Sequence, residues 1–419
     1  MAKRPTTRGT APELGVAVRL RSIAGFAVAG LVVAALLGSG ALVFATLAGA
    51  ALAALVAVSR RRVFEGFSFE RTPAQRVVAW GGRLDVTMSF SNAKLLPLVW
   101  MRVRDEWPLG LEPQGFALKT SAVHANQSLS QTISLRWYER VRRHYQVRCM
   151  QRGLHRFGPA ELEAGDPFGI AGVVRSMPMR EEIVVLPRVL DVPGLELLTG
   201  RPLVEESALR SLATDPTALR GTRPYMPGDP LRAVNWRATA RTGALHTNEF
   251  DPTTLTAVRL LLDVGVFEHA YLGVDPERME LLCVVTASLA AAFAGRGFGV
   301  GLASNARLTG DWRAVDIEPR EGALDDVLET LGRVLVFPPD DFGMVLGAEL
   351  ADEAGQADCV LVAAALRSPA RELLIRLRAE RPVTVVYVGS PSVEERPFVD
   401  AVVPGDFDWR TGDALPLVV

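Results

Sequence analysis

The side chains best suited to chemistry are concentrated in one stretch, Gly221-Thr-Arg-Pro-Tyr-Met-Pro-Gly-Asp-Pro-Leu-Arg-Ala-Val-Asn-Trp-Arg-Ala-Thr-Ala-Arg-Thr-Gly243. It holds Arg223, Arg232, Arg237 and Arg241 against a single acid, Asp229. Guanidinium forks bind carboxylates and carbonyl oxygens, and Arg with Trp is the pairing that dominates binding hot spots. The chemistry implied is recognition rather than bond breaking. Two readings of the stretch stand together. It is a docking surface, or it is a clamp in which arginines tie an inter-domain turn to carbonyls and carboxylates with Trp236 buried. Asp229-Pro230 predicts a helix start, because Asp caps free N–H groups and Pro fits the first helical position. Arg232 stands three residues after that cap, so there is no capping box. On such a helix Arg232, Asn235 or Trp236, and Thr239 share one face, while Arg237 and Arg241 stack at four residues' spacing.

Other groups carry less. Asp263 lies at the end of the apolar run that begins at Ala257. The acid pairs Glu205-Glu206 and Asp325-Asp326 are neighbours in sequence, so they point apart on a helix and read as solvated faces. There is no Gly-x-Ser-x-Gly elbow and no phosphate loop. The lysines are Lys3, Lys94 and Lys119, which leaves none for a Walker-type site near the C-terminus. Gly295-Arg-Gly-Phe-Gly299 follows a helix pattern and precedes a strand, the wrong order for a dinucleotide site; it reads as a helix stop. Cys149, Cys283 and Cys359 are far apart and unpatterned, and the five histidines are scattered. Neither set makes a zinc site or a disulfide framework. A net charge of −1 gives no global attraction to nucleic acid or anionic lipid. Arg140-Val-Arg-Arg-His-Tyr-Gln-Val-Arg148 reads as a solvated edge strand guarded by charge.

The elements that must position these groups fall into blocks. Residues 1–18 form a polar tail. Ile23 to Val58 is 36 residues without a charge. One membrane span needs about 20 residues, so this run predicts a two-helix transmembrane hairpin over 19–62 with its turn at Gly38-Ser39-Gly40. Arg19 and Arg21 flank one end, and Arg60, Arg61 and Arg62 the other. A hairpin puts both clusters on one side, which the positive-inside rule makes cytoplasmic. The run is more than twice the ~7–15 apolar residues of a signal peptide.

From 63 to 190 the period becomes two. Leu84, Val86, Met88 and Phe90 alternate with polar residues, as do Val99, Met101 and Val103. Short strands are predicted near 129–137, 144–150, 160–163 and 183–187. The spacing implies an antiparallel β-sandwich-like domain. Residues 191–250 read as a linker. From 251 to 419, strands from Ala257, Phe298, Asp358 and Pro382 alternate with helices from Pro276, Leu324 and Pro369. That is the pattern of a doubly wound parallel α/β sheet.

The stretch closely resembles the signature of the bacterial membrane proteins grouped as domain of unknown function 58. Its pattern is Tyr-x-x-Gly-Asp-x-x-Arg-x-Ile-Asp-Trp-x-x-Ser-Ala-Arg. Tyr225, Gly228, Asp229, Arg232, Trp236, Ala240 and Arg241 match it; Asn235 replaces an Asp and Thr239 a Ser. Arg152-Gly153 and Asp166-Pro-Phe-Gly169 match a second stretch. The resemblance implies a C-terminal domain similar to von Willebrand factor A domains, which often hold a divalent ion through Asp-x-Ser-x-Ser after the first strand. Here the stretch reads Asp263-Val264-Gly265-Val266-Phe267, with the acid but neither hydroxyl. Hard cations want carboxylate and hydroxyl oxygens, so this is a degenerate metal site and no cofactor is expected.

The resemblance further implies a MoxR-type AAA+ ATPase as partner. The expected protein is a non-catalytic scaffold or adaptor of the bacterial inner membrane, with both termini and the large domains cytoplasmic. It would act in assembly or cell-envelope processes, with Arg223, Arg232, Trp236 and Arg241 as docking determinants. The rival reading is a metal-dependent binding module or hydrolase using Asp263. Small residues in the hairpin also permit self-association.

Overall fold

The uncharged run folds into two helices in the computed structural model, α1 (Leu20–Leu36) and α2 (Gly40–Arg62). The structure describes residues 20–120, 126–166, 172–195, 214–226, 234–252, 257–267, 273, 275–310, 314–337, 340–352 and 357–418. The predicted tail at 1–18 lies outside them, as do Glu205-Glu206 and Pro167-Phe168-Gly169. Gly38 turns the chain between the helices at φ +61, a conformation that favours glycine. The helices pack together. A Cβ on Gly30 would fall 2.6 Å from Thr46 Cγ2, so close approach depends on the missing side chain. Among the described residues α2 is the one helix long and apolar enough to cross a membrane.

The chain divides into two units, Met1–Val185 and Leu186–Val419, and the segment 191–250 falls in the second. After α2 the first unit is built of strands: β1 (Phe67–Pro73), β2 (Val77–Val78), β3 (Arg83–Asn92), β4 (Leu98–Trp107), β5 (Leu111–Gln114), β6 (Lys119–Thr120), β7 (Gln127–Leu135), β8 (Arg140–Cys149), β9 (Gly153–Phe157), β10 (Ala160–Gly165), β11 (Gly172–Met177) and β12 (Glu181–Val185). They form sheets ordered β1-β3-β8-β5, β11-β10-β4-β7-β6 and β2-β12-β9. All pairings are antiparallel except β2 with β12.

Alternation decides which side chains enter the core. Leu84, Val86, Met88 and Phe90 of β3 share one buried cluster with Met101 and Val103 of β4, Ile133 of β7 and Leu162 of β10. Beside that cluster lies a buried ion pair. Arg71 Nη1 binds Asp105 Oδ1, its Nε meets Glu181 Oε2 at 2.7 Å, and Trp107 Nε1 donates to Asp105 Oδ2 at 2.7 Å. Burial pushes the Asp105 carboxyl up, and Arg71 opposes that shift.

The basic stretch Arg140–Arg148 differs from expectation. β8 is flanked by β3 along its length and by β5 over Gln146–Cys149, so it is an edge only at its first half. Pairing there is set by the short β5, whose four residues carry little period-two signal.

The second unit contains β13 (Thr214–Pro224), α3 (Trp236–Thr242), β14 (His246–Pro252), β15 (Ala257–Leu262), α4 (Pro276–Ala294), β16 (Gly299–Ser304), β17 (Val315–Arg320), α5 (Leu324–Arg333), α6 (Phe342–Ala351), β18 (Asp358–Ala363), α7 (Ser368–Glu380), β19 (Val383–Val388) and β20 (Ala401–Val403). Six strands form a mixed sheet ordered β17-β16-β15-β18-β19-β20, parallel except for edge strand β17. Leu261, Leu361 and Val385 face a cluster with Phe342 and Leu346 of α6 and Leu374 and Leu377 of α7. The alternate residues Leu260, Leu262, Val360 and Val362 are as fully buried, and α4 contacts the same strands. Helices therefore cover both faces, which explains why β15, β16 and β18 read as largely apolar runs, interrupted in β15 by Arg259. Asp275 caps α4 by accepting from Glu277 and Arg278 N–H, with Pro276 at the first position.

Candidate functional site

Two places carry the residues singled out by sequence. The first is the carboxyl end of the parallel strands, the usual ligand crevice of such sheets. β15 delivers Asp263 there, and its N–H is held by Val362 O at 3.0 Å. The side chain is buried. Asp263 Oδ1 accepts from Gly265 N and from Asn305 Nδ2, each at 2.8 Å. Asn305 follows β16; its Oδ1 accepts from Val264 N at 3.0 Å, and its Nδ2 also reaches Asp340 O at 3.0 Å. Burial raises the Asp263 carboxyl to about 6, against the opposing pull of the Gly265 N–H, the Arg367 charge and Asn305.

Arg367 is the residue that sequence reasoning missed here. It stands just before α7, and its Nε and Nη2 both donate to Phe267 O at 3.3 Å. A Cβ placed on Gly265 would lie 2.2 Å from Arg367 Nη2 and 2.9 Å from Asp263 Oδ1. The guanidinium thus fills the space that a side chain at 265 would need. The loop carrying it is pinned by Glu395, which accepts from Leu366 N at 2.7 Å, Ser392 N at 2.9 Å and Tyr387 Oη at 3.1 Å. Those donors hold the Glu395 carboxyl below its usual range despite burial, the largest influence, which opposes them.

These residues do not fit a divalent ion. One Asp263 oxygen is engaged by two donors, no hydroxyl stands at 265 or 267, and a cationic side chain lies beside the carboxylate. A cation site needs several free oxygens. Among the described residues no three His, Cys, Asp or Glu side chains cluster as metal ligands.

The second place is the arginine-rich stretch. Gly228, Asp229 and Arg232 lie outside the described residues. Gly221 to Pro224 lie in an antiparallel ribbon, β13 with β14, in which Arg223 pairs with Thr247 and Pro224 with His246. Tyr225 N–H extends it to Leu245 O at 2.9 Å. Val234 bridges to Thr247.

The expected helix beginning at Asp229-Pro230 and running through Arg241 is corrected by this geometry. Asn235 is extended, at φ −84 and ψ 91, and its side chain caps a short helix by accepting from Ala238 N at 2.9 Å. With Asn235 N–H anchored on His246 O at 2.9 Å, no helix runs unbroken through Asn235, and the predicted start at Asp229-Pro230 lies outside the described residues. Gly243 closes α3 at φ 73 with its N–H on Thr239 O. Thr239 Oγ1 accepts from His246 N at 3.1 Å, which ties α3 to β14.

Trp236 is 69% exposed, so it is not the buried centre of a clamp. Arg237 and Arg241 are exposed on the same helix. Arg223 is half-buried, with Nη1 on Pro224 O at 3.2 Å. Arg223, Tyr225, Asn235, Trp236 and Arg241 are therefore gathered on one small ribbon-and-helix element. In the other matched stretch, Arg152 and Asp166 are buried, and Trp100 Nε1 donates to Asp166 O at 2.9 Å.

The mixed sheet and its ribbon coincide with a known sequence family. Residues 221–406 match the model described as "Protein of unknown function DUF58". The chain is 24% identical over 232 residues to "Uncharacterized protein YeaD" of Bacillus subtilis (strain 168), a match that takes in 54% of this chain and 52% of the relative. It thus spans about half the length of that relative. Among solved structures, the CARDB domain of the PF1109 protein from Pyrococcus furiosus aligns at 12% identity and TM-score 0.20, over 29% of this chain and 87% of that one. A beta-glucosidase from Listeria innocua aligns at 11% identity and TM-score 0.17, over 28% of this chain and 16% of that one.

Proposed function

We propose that this chain is a membrane-anchored scaffold or adaptor without catalysis of its own, working with a MoxR-type AAA+ ATPase in bacterial assembly or cell-envelope processes. In this reading α1 and α2 form a hairpin in the inner membrane, and both termini and both large units face the cytoplasm. The first unit acts as a β-sandwich-like spacer. The second is a doubly wound, von Willebrand factor A-like docking domain.

The observation that carries the proposal is the exposure of Trp236 at 69% on the helix that also presents Arg237 and Arg241. Exposed Trp flanked by Arg is the composition of a binding hot spot. At the carboxyl end of the sheet, Asp263 Oδ1 is already held by Gly265 N and Asn305 Nδ2, with the Arg367 charge acting on the same carboxyl. Co-purification from detergent extracts tests the idea. The ATPase is expected with the wild-type chain and lost with Trp236→Ala plus Arg241→Ala. Equal recovery with that variant would sink it.

The rival, a metal-dependent module or hydrolase using Asp263, draws on the raised carboxyl pKa of about 6. A stoichiometric Mg²⁺ or Mn²⁺ lost in Asp263→Ala would favour it.

A further inference from the structure

The end of α2 is built into the first unit. Lys94, in the β3–β4 loop, donates its Nζ to the carbonyls of Arg62 and Val63 at the C-terminus of α2, where Arg62 O also accepts from Glu65 N at 3.1 Å. The same loop holds the β7–β8 turn. Tyr138 N–H donates to Lys94 O at 3.3 Å, and Asn92 Nδ2 bridges Leu96 O at 3.0 Å and Arg136 O at 2.8 Å. Asn92 N–H reaches Glu139 O at 2.9 Å, and Ala93 N–H reaches Gly66 O at 2.7 Å. A short chain of hydrogen bonds therefore fixes two loops at the level where α2 ends.

The tips of those loops are apolar. Leu95 is 73% exposed, Trp137 64% and Tyr138 66%. Tyr138 holds a left-handed backbone at φ 51, a conformation an aromatic residue rarely adopts. Arg136 and Glu139 flank the pair with Arg140 next, and Arg60, Arg61 and Arg62 end α2. An exposed apolar cluster rimmed by charge marks an interaction surface. Trp and Tyr partition to the headgroup level of a bilayer, and basic residues there gain from anionic lipid.

We propose that Leu95, Trp137 and Tyr138 sit in the headgroup layer beside α2, so that the bilayer is the partner of this surface. The inference rests on the reading that α2 spans the membrane. The occupant is argued from continuity: the β3–β4 loop is bonded to the carbonyls at the end of α2, which keeps both loop tips beside the helix that enters the lipid.

The test uses the full chain in nanodiscs of phosphatidylcholine and phosphatidylglycerol, with plain or dibrominated acyl chains. The emission of Trp137 is taken as the difference between the wild type and Trp137→Phe. Most of that emission should be lost in brominated lipid. Equal emission in both lipids, with the chain still co-migrating with the discs, would overturn this inference and leave the spanning helix standing. Failure to co-migrate would overturn both. A spin label on Leu95→Cys gives an independent readout, because the three native thiols are buried. It should be accessible to oxygen and shielded from aqueous nickel; the reverse contradicts the proposal.

Discussion

The guanidinium of Arg367 occupies the space above Gly265: a Cβ at 265 would stand 2.2 Å from its Nη2. This relationship explains why a glycine stands two residues after Asp263, beyond the end of β15. Only a residue without a side chain leaves room for the arginine beside the carboxylate.

Gly265→Ser is therefore expected to displace Arg367 and destabilise the second unit by about 1–3 kcal/mol, the usual cost of overpacking. Arg367→Ala should relieve the clash, so the double variant should be less destabilised than the sum of the singles. Urea denaturation of the full chain in detergent measures all three. Strict additivity would show that the two residues do not compete for this space.

Asp263 gives the same region a pH signature. Its carboxyl is raised from 3.8 to about 6 in the folded chain. Between those values the native state keeps a proton that the unfolded chain has released. Stability thus falls as pH rises from about 4 to about 6 and stays at the lower level above, a loss of roughly 3 kcal/mol from this group. Asp263→Asn keeps an acceptor for Gly265 N and Asn305 Nδ2 and should flatten the dependence. Thermal unfolding at a series of pH values reads it; an unchanged profile in Asp263→Asn would contradict the assignment.

Orientation in the membrane can be read at Val393, which is 82% exposed in the second unit. The native thiols cannot report it: burial raises Cys149 to about 11 and Cys359 to about 12, and Cys283 is buried too. A cysteine at Val393 should resist an impermeant maleimide in intact cells and react after lysis. Labelling in intact cells would place this unit outside the cytoplasm.

Local patterns made much of this architecture readable. β15, β16 and β18 are covered on both faces, so their burial is written as largely apolar runs, with Arg259 the exception in β15. β3 is covered on one face and alternates; β4 alternates only from Met101 to Asp105, because a register shift before Met101 buries Leu98 and leaves the expected inward Val99 exposed. The signature stretch was legible as family, and residues 221–406 bear that out.

What escaped depends on partners distant in sequence. β17, Val-Asp-Ile-Glu-Pro-Arg, is an antiparallel edge whose polar face hides it. The cap at Asn235 was not legible, because it depends on the anchoring of Asn235 N–H to His246 O across the ribbon; the predicted start at Asp229-Pro230 lies outside the described residues. Arg367 carries no motif; its approach to Asp263 and Gly265 spans about a hundred residues and follows from how the strands are ordered.

The central claim is that function lies on the exposed ribbon and α3 rather than at the closed crest. A photo-reactive amino acid in place of Trp236, activated in cells, tests it most directly. The account predicts a covalent adduct with the AAA+ ATPase, and none from the same probe in place of Val393. No adduct from position 236, in cells where the full chain is present in the membrane, would contradict it.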